Sequence, residues 1–285
     1  MEERTTCLVT EGGALRGVYT SGVQGVLHRE GICIDCVIGT SAGSMNAVNF
    51  LSGQPERSFH IDHHFARDKN FMGLRPLLRE KQIFSFSYMY GPVNDAYPFD
   101  HDAFHASPTR IIAVCSDAET GRPVYLERTN CSNMLEAIKG SSSMPLVSTP
   151  IEIDGKRYYD GGPSMPVAHQ KALEDGYKNI VLILTRQKGY RKKPLSRTTR
   201  FALKRTFRKS PYFYEMMLRS PAWYNYLMDE IDRLEEEGRI FVLRPTEPVV
   251  VSRTEKDQRK LKALFHLGRQ DALERLEDLK AYLAR

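Results

Sequence analysis

Short apolar segments alternate with segments of helical periodicity along most of the 285-residue chain. The runs 110–114 and 179–184 are continuously apolar after their first residues, Arg110 and Asn179, which is typical of strands that are covered on both faces. Because strands and helices alternate, the pattern predicts an α/β fold with a mainly parallel central sheet. Strands are predicted near residues 6–10, 35–38, 110–115, 122–127, 156–160, 179–185 and 239–243.

Two regions are predicted from the change in composition near residue 185. Residues 1–185 carry most of the predicted strands and form the core. Residues 186–285 combine a basic and aromatic segment with C-terminal helices that pack on the core, and they contain the strand near 239–243. Apolar stripes at 224–238 and 260–283 have helical spacing, so we interpret them as packing faces, with a dimer contact as the alternative. The sequence does not indicate the oligomeric state.

The sequence Gly39-Thr40-Ser41-Ala42-Gly43 lies between a predicted strand and a predicted helix. A Gly-x-Ser-x-Gly sequence in this context is typical of a sharp strand-to-helix turn, whose flanking positions must be small. Such a turn points the serine hydroxyl outward, and the N-terminus of the following helix supplies positive potential for an oxyanion. The pentapeptide alone is a weak signal, but its placement predicts Ser41 as the nucleophile.

A second glycine-rich sequence follows the first predicted strand. It reads Glu11-Gly12-Gly13-Ala14-Leu15-Arg16-Gly17. Glycines that end a strand and open a helix leave several backbone N–H groups pointing at one spot, where a phosphate or an oxyanion could bind. The alternative interpretation is an ordinary tight turn between a strand and a helix.

An acidic residue, Asp160, ends a predicted strand and precedes Gly161 and Gly162. This position favours a carboxylate that projects into a cleft at the edge of the sheet. The alternative is a turn-forming Asp-Gly pair, which is how we interpret Asp154 and Gly155. Spacing along the chain does not show whether Asp160 meets Ser41.

These three motifs, in this order, resemble the patatin-like phospholipase family over roughly residues 5–185. The resemblance implies a three-layer α/β/α sandwich with the serine on a nucleophile elbow. It implies Ser41 as nucleophile and Asp160 as base in a Ser–Asp dyad. It also implies an oxyanion hole formed by the backbone amides of Gly12, Gly13 and Ala14, with Arg16 closing the loop.

The chain departs from the family pattern at two positions of this loop, where Glu11 replaces the usual Asp and Ala14 replaces a third Gly. We expect Ala14 to have a negative φ angle, since alanine is strained in the left-handed region. A small-residue segment, Ser141-Ser142-Ser143-Met144-Pro145, also lies where the family has one.

A Ser-His-Asp triad is the alternative to the dyad, and in the α/β-hydrolase order its histidine follows the acid. The histidines after Asp160 are His169 and His266, both in helical segments, and we interpret both as surface or packing residues. Because the serine also comes early in the chain, the dyad is favoured. Acyl transfer through a serine needs neither a metal nor a cofactor.

The sequence therefore predicts a serine esterase that cleaves acyl esters of lipids, of the phospholipase A or lysophospholipase type. One alternative keeps the dyad but passes the acyl group to another alcohol or thiol, which would make the protein an acyltransferase. Another is a catalytically silent protein that binds a membrane or a nucleic acid through its basic segment.

Eleven basic and no acidic residues fall within 186–209, although the whole chain has a net charge of only +6. Aromatic residues follow directly, and this combination suits an anionic lipid interface. The alternatives are a solvated basic loop and nucleic-acid binding, which we do not expect because no nucleic-acid motif is present. The basic residues assigned to membrane contact are Arg191, Lys192, Lys193, Arg197, Arg200, Lys204 and Arg205.

The charged N-terminal residues 1–4 have no apolar segment of the kind found in secretory signals. The five cysteines are odd in number and lie mostly in apolar runs, as expected for reduced thiols. These features predict a cytoplasmic protein, with peripheral attachment to a membrane left open.

Overall fold

The computed structural model describes residues 5–285. The strands are β1 (Thr6–Thr10), β2 (Cys36–Thr40), β3 (Arg110–Asp117), β4 (Pro123–Glu127), β5 (Ile151–Ile153), β6 (Lys156–Asp160), β7 (Asn179–Ile183) and β8 (Phe241–Leu243). The helices are α1 (Val18–Arg29), α2 (Ala42–Leu51), α3 (Arg57–Phe65), α4 (Leu74–Glu80), α5 (Phe86–Tyr90), α6 (Pro92–Ala96), α7 (His101–Ala106), α8 (Met134–Ser141), α9 (His169–Glu174), α10 (Arg197–Thr206), α11 (Pro211–Glu236), α12 (Gln258–Glu274) and α13 (Leu276–Leu283). A 3₁₀ turn, Ala14–Gly17, precedes α1.

The strands form one sheet in the order β5-β6-β3-β2-β1-β7-β8, with β4 also paired to β3. Strands β3, β2, β1, β7 and β8 run parallel to one another. Strands β4 and β6 pair antiparallel with β3, and β5 pairs antiparallel with β6. The carboxyl ends of β1 and β2 therefore lie side by side, which places the two glycine-rich loops that follow them next to each other.

Alternate residues of the sheet face two separate apolar cores. In β1, Leu8 belongs to a core formed with α1, α2, α3 and α12, whereas Cys7 and Val9 belong to a core formed with α9 and α11. This alternation follows from the two-residue period of a strand, and it divides the protein into three layers. The expectation of an α/β fold with a mainly parallel central sheet is confirmed.

The C-terminal third continues the same layers. Strand β8 pairs with β7, and α11 covers one face of the sheet through Leu227, Ile231 and Leu234. The predicted helix at 224–238 is the second half of the longer α11, and the predicted helix at 260–283 is divided into α12 and α13. The division of the chain at residue 185 stays a prediction.

One local difference from the sequence expectations concerns the sheet. Strand β5, Ile151–Ile153, was not predicted, because three residues are too few to show a period. It forms a hairpin with β6 that ends at Asp160.

Across residues 5–285, no helix is both long enough and apolar enough to cross a membrane.

Candidate active site

Ser41 lies at the turn between β2 and α2, with φ 55° and ψ −123°. This backbone conformation is strained for a residue with a side chain, and it is characteristic of functional turns. The flanking glycines permit it: a Cβ on Gly39 would lie 2.5 Å from Cα of Ser44, and one on Gly43 would lie 2.3 Å from the carbonyl oxygen of Thr10. The sequence prediction of a sharp turn with small flanking residues thus agrees with the geometry.

The hydroxyl of Ser41 donates a hydrogen bond to Oδ2 of Asp160 at 2.6 Å, across 119 residues of sequence. Asp160 is the last residue of β6, and its Oδ1 accepts a hydrogen bond from the backbone N–H of Gly162 at 2.7 Å. Both carboxylate oxygens are therefore held, and the side chains of Ser41 and Asp160 are both buried. The structure brings together the two residues that the sequence nominates as nucleophile and base.

Burial raises the pKa of the Asp160 carboxyl above its ordinary value, because protein atoms replace the water that would solvate the charge. The hydrogen bonds from Ser41 and Gly162 and the positive charges of Arg253 and Lys192 act in the opposite direction. A raised pKa makes the carboxylate a stronger base than a free aspartate.

Lys192 is a partly buried cation near the dyad. Burial lowers its pKa to about 8, with a further contribution from the positive charge of Arg253. Its ammonium group lies 4.0 Å from the ring centre of Tyr224, and its backbone N–H donates to Asn225 at 2.7 Å. The segment that follows β7 therefore contributes a positive charge to the site, which the sequence did not predict.

The loop after β1 lies directly beside Ser41, since a Cβ on Gly12 would lie only 2.9 Å from the Cβ of Ser41. Among residues 5–285, the backbone N–H groups of Gly12, Gly13 and Ala14 donate no hydrogen bond. The expectation of a negative φ at Ala14 is wrong, because its φ is +49°. The loop requires the left-handed conformation here, and alanine adopts it at a cost of about 1 kcal/mol.

The Glu11 carboxylate is buried and fixes this loop to two other elements. Its Oε2 accepts hydrogen bonds from the backbone N–H of Thr185 at 2.6 Å and from the Thr185 hydroxyl at 3.1 Å. Its Oε1 accepts a hydrogen bond from the Tyr224 hydroxyl at 3.0 Å. The departure from the family pattern at Glu11 is thus accommodated by specific partners.

Arg16 is nine-tenths buried behind the same loop, and its Nε has no hydrogen-bond partner among the described residues. Burial, together with the nearby charge of Arg186, lowers its pKa to about 10. Its backbone N–H donates to the carbonyl of Gly13 at 3.2 Å, which closes the turn. Gly17 follows, where a Cβ would lie 3.0 Å from that of Ala42.

The serine-rich segment 141–143 touches both members of the dyad. The Ser141 hydroxyl accepts a hydrogen bond from the backbone N–H of Ser41 at 2.9 Å and donates to the carbonyl of Val114 at 2.6 Å. The carbonyl of Ser143 accepts a hydrogen bond from the backbone N–H of Asp160 at 2.9 Å. The sequence drew attention to this segment but did not predict a role for Ser141.

The two histidines considered for a triad have other surroundings. His169 is fully buried, with Nε2 2.9 Å from Glu230 and Nδ1 3.1 Å from the carbonyl of Val167. Burial lowers the pKa of His169, which favours the neutral ring. His266 is exposed on α12. Neither histidine has Ser41 or Asp160 among its hydrogen-bond partners in the described residues, so the dyad remains the favoured interpretation.

A cavity of about 200 Å³ opens beside Ser41 and runs along α2 as far as Asn49. The part of α2 that lines the cavity, from Ala42 to Asn49, is about 12 Å long. Its apolar wall includes Leu15, Met45, Ile61, Phe71, Phe84 and Met89.

The basic segment is divided between the protein interior and the surface. Arg191 pairs with Asp229 at 2.5 Å and with Asp232 at 3.2 Å. Lys192 faces the site, as described above. The remaining cations assigned to membrane contact are exposed, and they are Lys193, Arg197, Arg200, Lys204 and Arg205.

Comparison with known proteins agrees with this geometry. Residues 8–172 match the family described as patatin-like phospholipase, which is more than half of the chain. The chain therefore belongs to the patatin-like phospholipase family, and the resemblance noted in the sequence is confirmed. Lipid hydrolysis is the kind of function that this membership supports. Residues 210–284 match a domain of unknown function, DUF6363.

The individual proteins that match this chain have low sequence identity to it. The uncharacterized protein YjjU of Escherichia coli (strain K12) is 26% identical over 184 residues, which cover 62% of this chain and 51% of that protein. The chain thus spans about half the length of this curated relative. Among solved structures, VipD from Legionella pneumophila matches with a TM-score of 0.47 and 11% identity, covering 97% of this chain and 67% of VipD.

Proposed function

We propose that this protein is a serine lipid acyl hydrolase of the phospholipase A or lysophospholipase type, with Ser41 as nucleophile and Asp160 as general base. The observation that carries the proposal is the 2.6 Å hydrogen bond from the Ser41 hydroxyl to Asp160, made at a strained turn between strand and helix. A serine hydroxyl becomes a useful nucleophile only when a neighbouring base takes its proton.

The reaction has two halves. As Oγ of Ser41 attacks the ester carbonyl, its proton moves to Asp160, and the carbonyl oxygen becomes an oxyanion. The unpaired N–H groups of Gly12, Gly13 and Ala14 are the donors for that oxyanion. The leaving alcohol departs with the proton from Asp160, which leaves an acyl-enzyme. Water then gives a proton to Asp160, attacks the acyl carbonyl and releases the acid as Ser41 regains its proton.

The charges around the dyad favour an anionic headgroup. Lys192 and Arg253 act on the Asp160 carboxyl, and Arg16 lies close enough to Lys192 to lower its pKa. The one carboxylate of the loop, Glu11, is already held by Thr185 and Tyr224. The cations therefore have capacity to attract a phosphate, which supports a phospholipid or lysophospholipid over a neutral ester.

Covalent labelling by a fluorophosphonate, measured by intact mass, tests the dyad. We expect one adduct on the wild type and none on Ser41→Ala or Asp160→Asn. Asp154→Asn is the matched control, because Asp154 also precedes a glycine but is an exposed turn residue. Full labelling of Asp160→Asn would place the base elsewhere. Release of free fatty acid from phosphatidylglycerol, with and without added glycerol, then separates hydrolysis from transfer.

We also propose that α10 contacts the surface of an anionic membrane. Arg197, Arg200, Lys204 and Arg205 are exposed on this helix, and Phe201 beside them is 69% exposed. Only Leu203 of this helix is buried. A basic helix with an exposed aromatic residue has the composition of an interfacial helix, in which each basic residue contributes about 1 kcal/mol of attraction to anionic lipid.

Liposome sedimentation tests this contact. Reversal of the four exposed charges of α10 to Glu should abolish binding to vesicles that contain phosphatidylglycerol. The matched control reverses four exposed cations on other elements, which are Lys69, Arg122, Lys178 and Lys262. Equal loss in both variants would mean that only the net charge matters and would remove the role of α10.

A further inference from the structure

Asp62 is an acidic side chain on the wall of the cavity beside Ser41, and the proposed mechanism does not use it. It lies on α3 and lines the same cavity as Ser41. Its carboxyl has no hydrogen-bond or ion-pair partner within the part of the chain that the structure describes. The side chain is half-buried, and the loss of solvation is the only influence on its pKa, which rises to about 8. The carboxyl is therefore mainly protonated at neutral pH, with one donor and one acceptor to offer.

Two polar side chains that line the cavity with Asp62, Arg57 and Asn49, already have partners. The Arg57 guanidinium donates to Asn49, Asn94 and the carbonyl of Tyr97, at distances between 2.7 and 3.2 Å. The amide nitrogen of Asn49 donates to the carbonyl of Met45 and to the Ser58 hydroxyl. Arg57 is thus committed elsewhere and does not neutralise Asp62.

An unpaired carboxyl in such a cavity affects which chain binds well. When a plain hydrocarbon chain enters, it displaces water from the carboxyl and leaves its hydrogen bonds unmade, which costs roughly tenfold in affinity. A chain with a hydroxyl at the matching position avoids this cost, because a hydroxyl accepts from the acid O–H and donates to the acid carbonyl oxygen.

We propose that the Asp62 carboxyl is a binding subsite for a hydroxyl group on the acyl chain, so that esters of hydroxylated fatty acids are the favoured substrates. This inference rests on the proposed function, since it assigns the cavity to the acyl group. Asp62 acts on binding and specificity and does not contact the reacting atoms.

The test compares p-nitrophenyl octanoate with its 3-hydroxy and 8-hydroxy derivatives, which place the hydroxyl at the two ends of the chain. We expect the wild type to have a kcat/KM about tenfold higher for one hydroxy ester than for octanoate. Asp62→Leu, which keeps the branching at Cγ, should lose this ratio and gain activity on octanoate. Asp62→Asn keeps a donor and an acceptor and should retain most of the ratio. Asp95→Leu makes the same substitution at an exposed carboxylate of α6 that is not among the lining residues, and it should leave the ratio unchanged.

Binding of the three free acids to Ser41→Ala, measured by calorimetry, separates this inference from the proposed function. In one outcome no ester is hydrolysed, but a hydroxy acid binds more tightly than octanoate and Asp62→Leu removes the difference. That outcome supports the hydroxyl subsite and contradicts the proposed hydrolase function. If the esters are hydrolysed with the same ratio in the wild type and Asp62→Leu, the subsite is wrong. A wild-type ratio near one for both hydroxy esters overturns it without any variant.

Discussion

The hydroxyl of Tyr224 donates a hydrogen bond to Glu11 at 3.0 Å, and both side chains are buried. Glu11 begins the loop that lies beside Ser41, whereas Tyr224 lies on α11, in the region that matches the domain of unknown function. The C-terminal helices thus hold the loop after β1 in place, and the site needs both parts of the chain.

Tyr224→Phe should therefore lower both stability and catalysis. The change leaves Oε1 of Glu11 buried without a donor, which costs about 1–3 kcal/mol. Because the loop is then less firmly held, we expect kcat on a phospholipid to fall several-fold with little change in KM. Urea unfolding and steady-state kinetics measure the two effects.

The matched control is Tyr19→Phe. Tyr19 also donates from a buried hydroxyl to a buried carboxylate, Asp271, at 2.9 Å, but it does so between α1 and α12. This variant should lose a similar amount of stability and keep the wild-type kcat. A fall of kcat in both variants would mean that general loosening of the fold is responsible.

Ser141→Ala is expected to reduce kcat about tenfold. The Ser141 hydroxyl is the acceptor for the backbone N–H of Ser41, so its removal leaves that strained turn without one of its supports. Burst kinetics with a p-nitrophenyl ester measure the acylation rate directly. Ser21→Ala removes another buried hydroxyl, which donates to the carbonyl of Pro55 at 2.7 Å, and it should leave acylation unchanged. An unaffected burst in Ser141→Ala would contradict the supporting role.

The pH profile should have an acidic limb set by Asp160, since only the ionised carboxylate accepts the serine proton. Burial raises this pKa, so the limb should lie above the ordinary aspartate value of about 3.9. Lys192 opposes the shift by stabilising the ionised carboxylate. Lys192→Gln should therefore move the limb to higher pH, by roughly half a unit.

Lys193→Gln is the control for this shift, because Lys193 is the next residue along the chain and is exposed. It should leave the acidic limb where the wild type has it. A displacement of the limb in Lys193→Gln equal to that in Lys192→Gln would mean that net charge, and not proximity to Asp160, sets the effect. A limb that moves to lower pH in Lys192→Gln would contradict the electrostatic role.

The strained loop gives a prediction about stability alone. Ala14 has φ +49°, which glycine adopts without strain, so Ala14→Gly gains about 1 kcal/mol from relief of strain and loses a similar amount through unfolded-chain entropy. We expect a change near zero in urea unfolding. Ala281→Gly, at an exposed position of α13, should cost about 0.5–1 kcal/mol. Equal losses in the two variants would contradict the strain.

Local sequence was sufficient to predict the strand-turn-helix around Ser41 and the strand end at Asp160. In both cases the chemistry follows from adjacent residues: glycines at a sharp turn, and an acid at the edge of a sheet. The dyad itself joins positions 119 residues apart, so it could be inferred only from the family resemblance. The structure supplies the contact.

What the sequence missed depends on contacts between distant elements. The link from Glu11 to Tyr224 spans 213 residues, and the bond from Ser141 to Ser41 spans 100, so no local pattern encodes either. Asp62 was missed for a different reason. On an amphipathic helix a carboxylate is expected on the solvent side, and only the packing of α3 beside the cavity shows its unusual position.

Asp62 should make the stability of the protein fall as pH rises. Its pKa is about 8 when folded and about 3.9 in the unfolded chain, so between these values the folded state holds a proton that the unfolded state has lost. The free energy of unfolding then decreases with pH in this window, by at most about 1.4 kcal/mol per unit, and levels off above pH 8.

Asp62→Asn removes this dependence, so its advantage in urea unfolding over the wild type should grow from pH 5 to pH 7 and again to pH 9. Asp154→Asn is the control, because the pKa of Asp154 is shifted in the opposite direction to that of Asp62. Hydrogen bonding by Ser132 lowers the pKa of Asp154, so that residue is ionised in both states above pH 5 and its loss should cost the same at all three pH values. If the free energies of unfolding of the wild type and Asp62→Asn changed with pH in parallel, the Asp62 carboxyl would be ionised and solvated in the cavity. The proposed hydroxyl subsite would then lack the acid O–H that donates to the substrate.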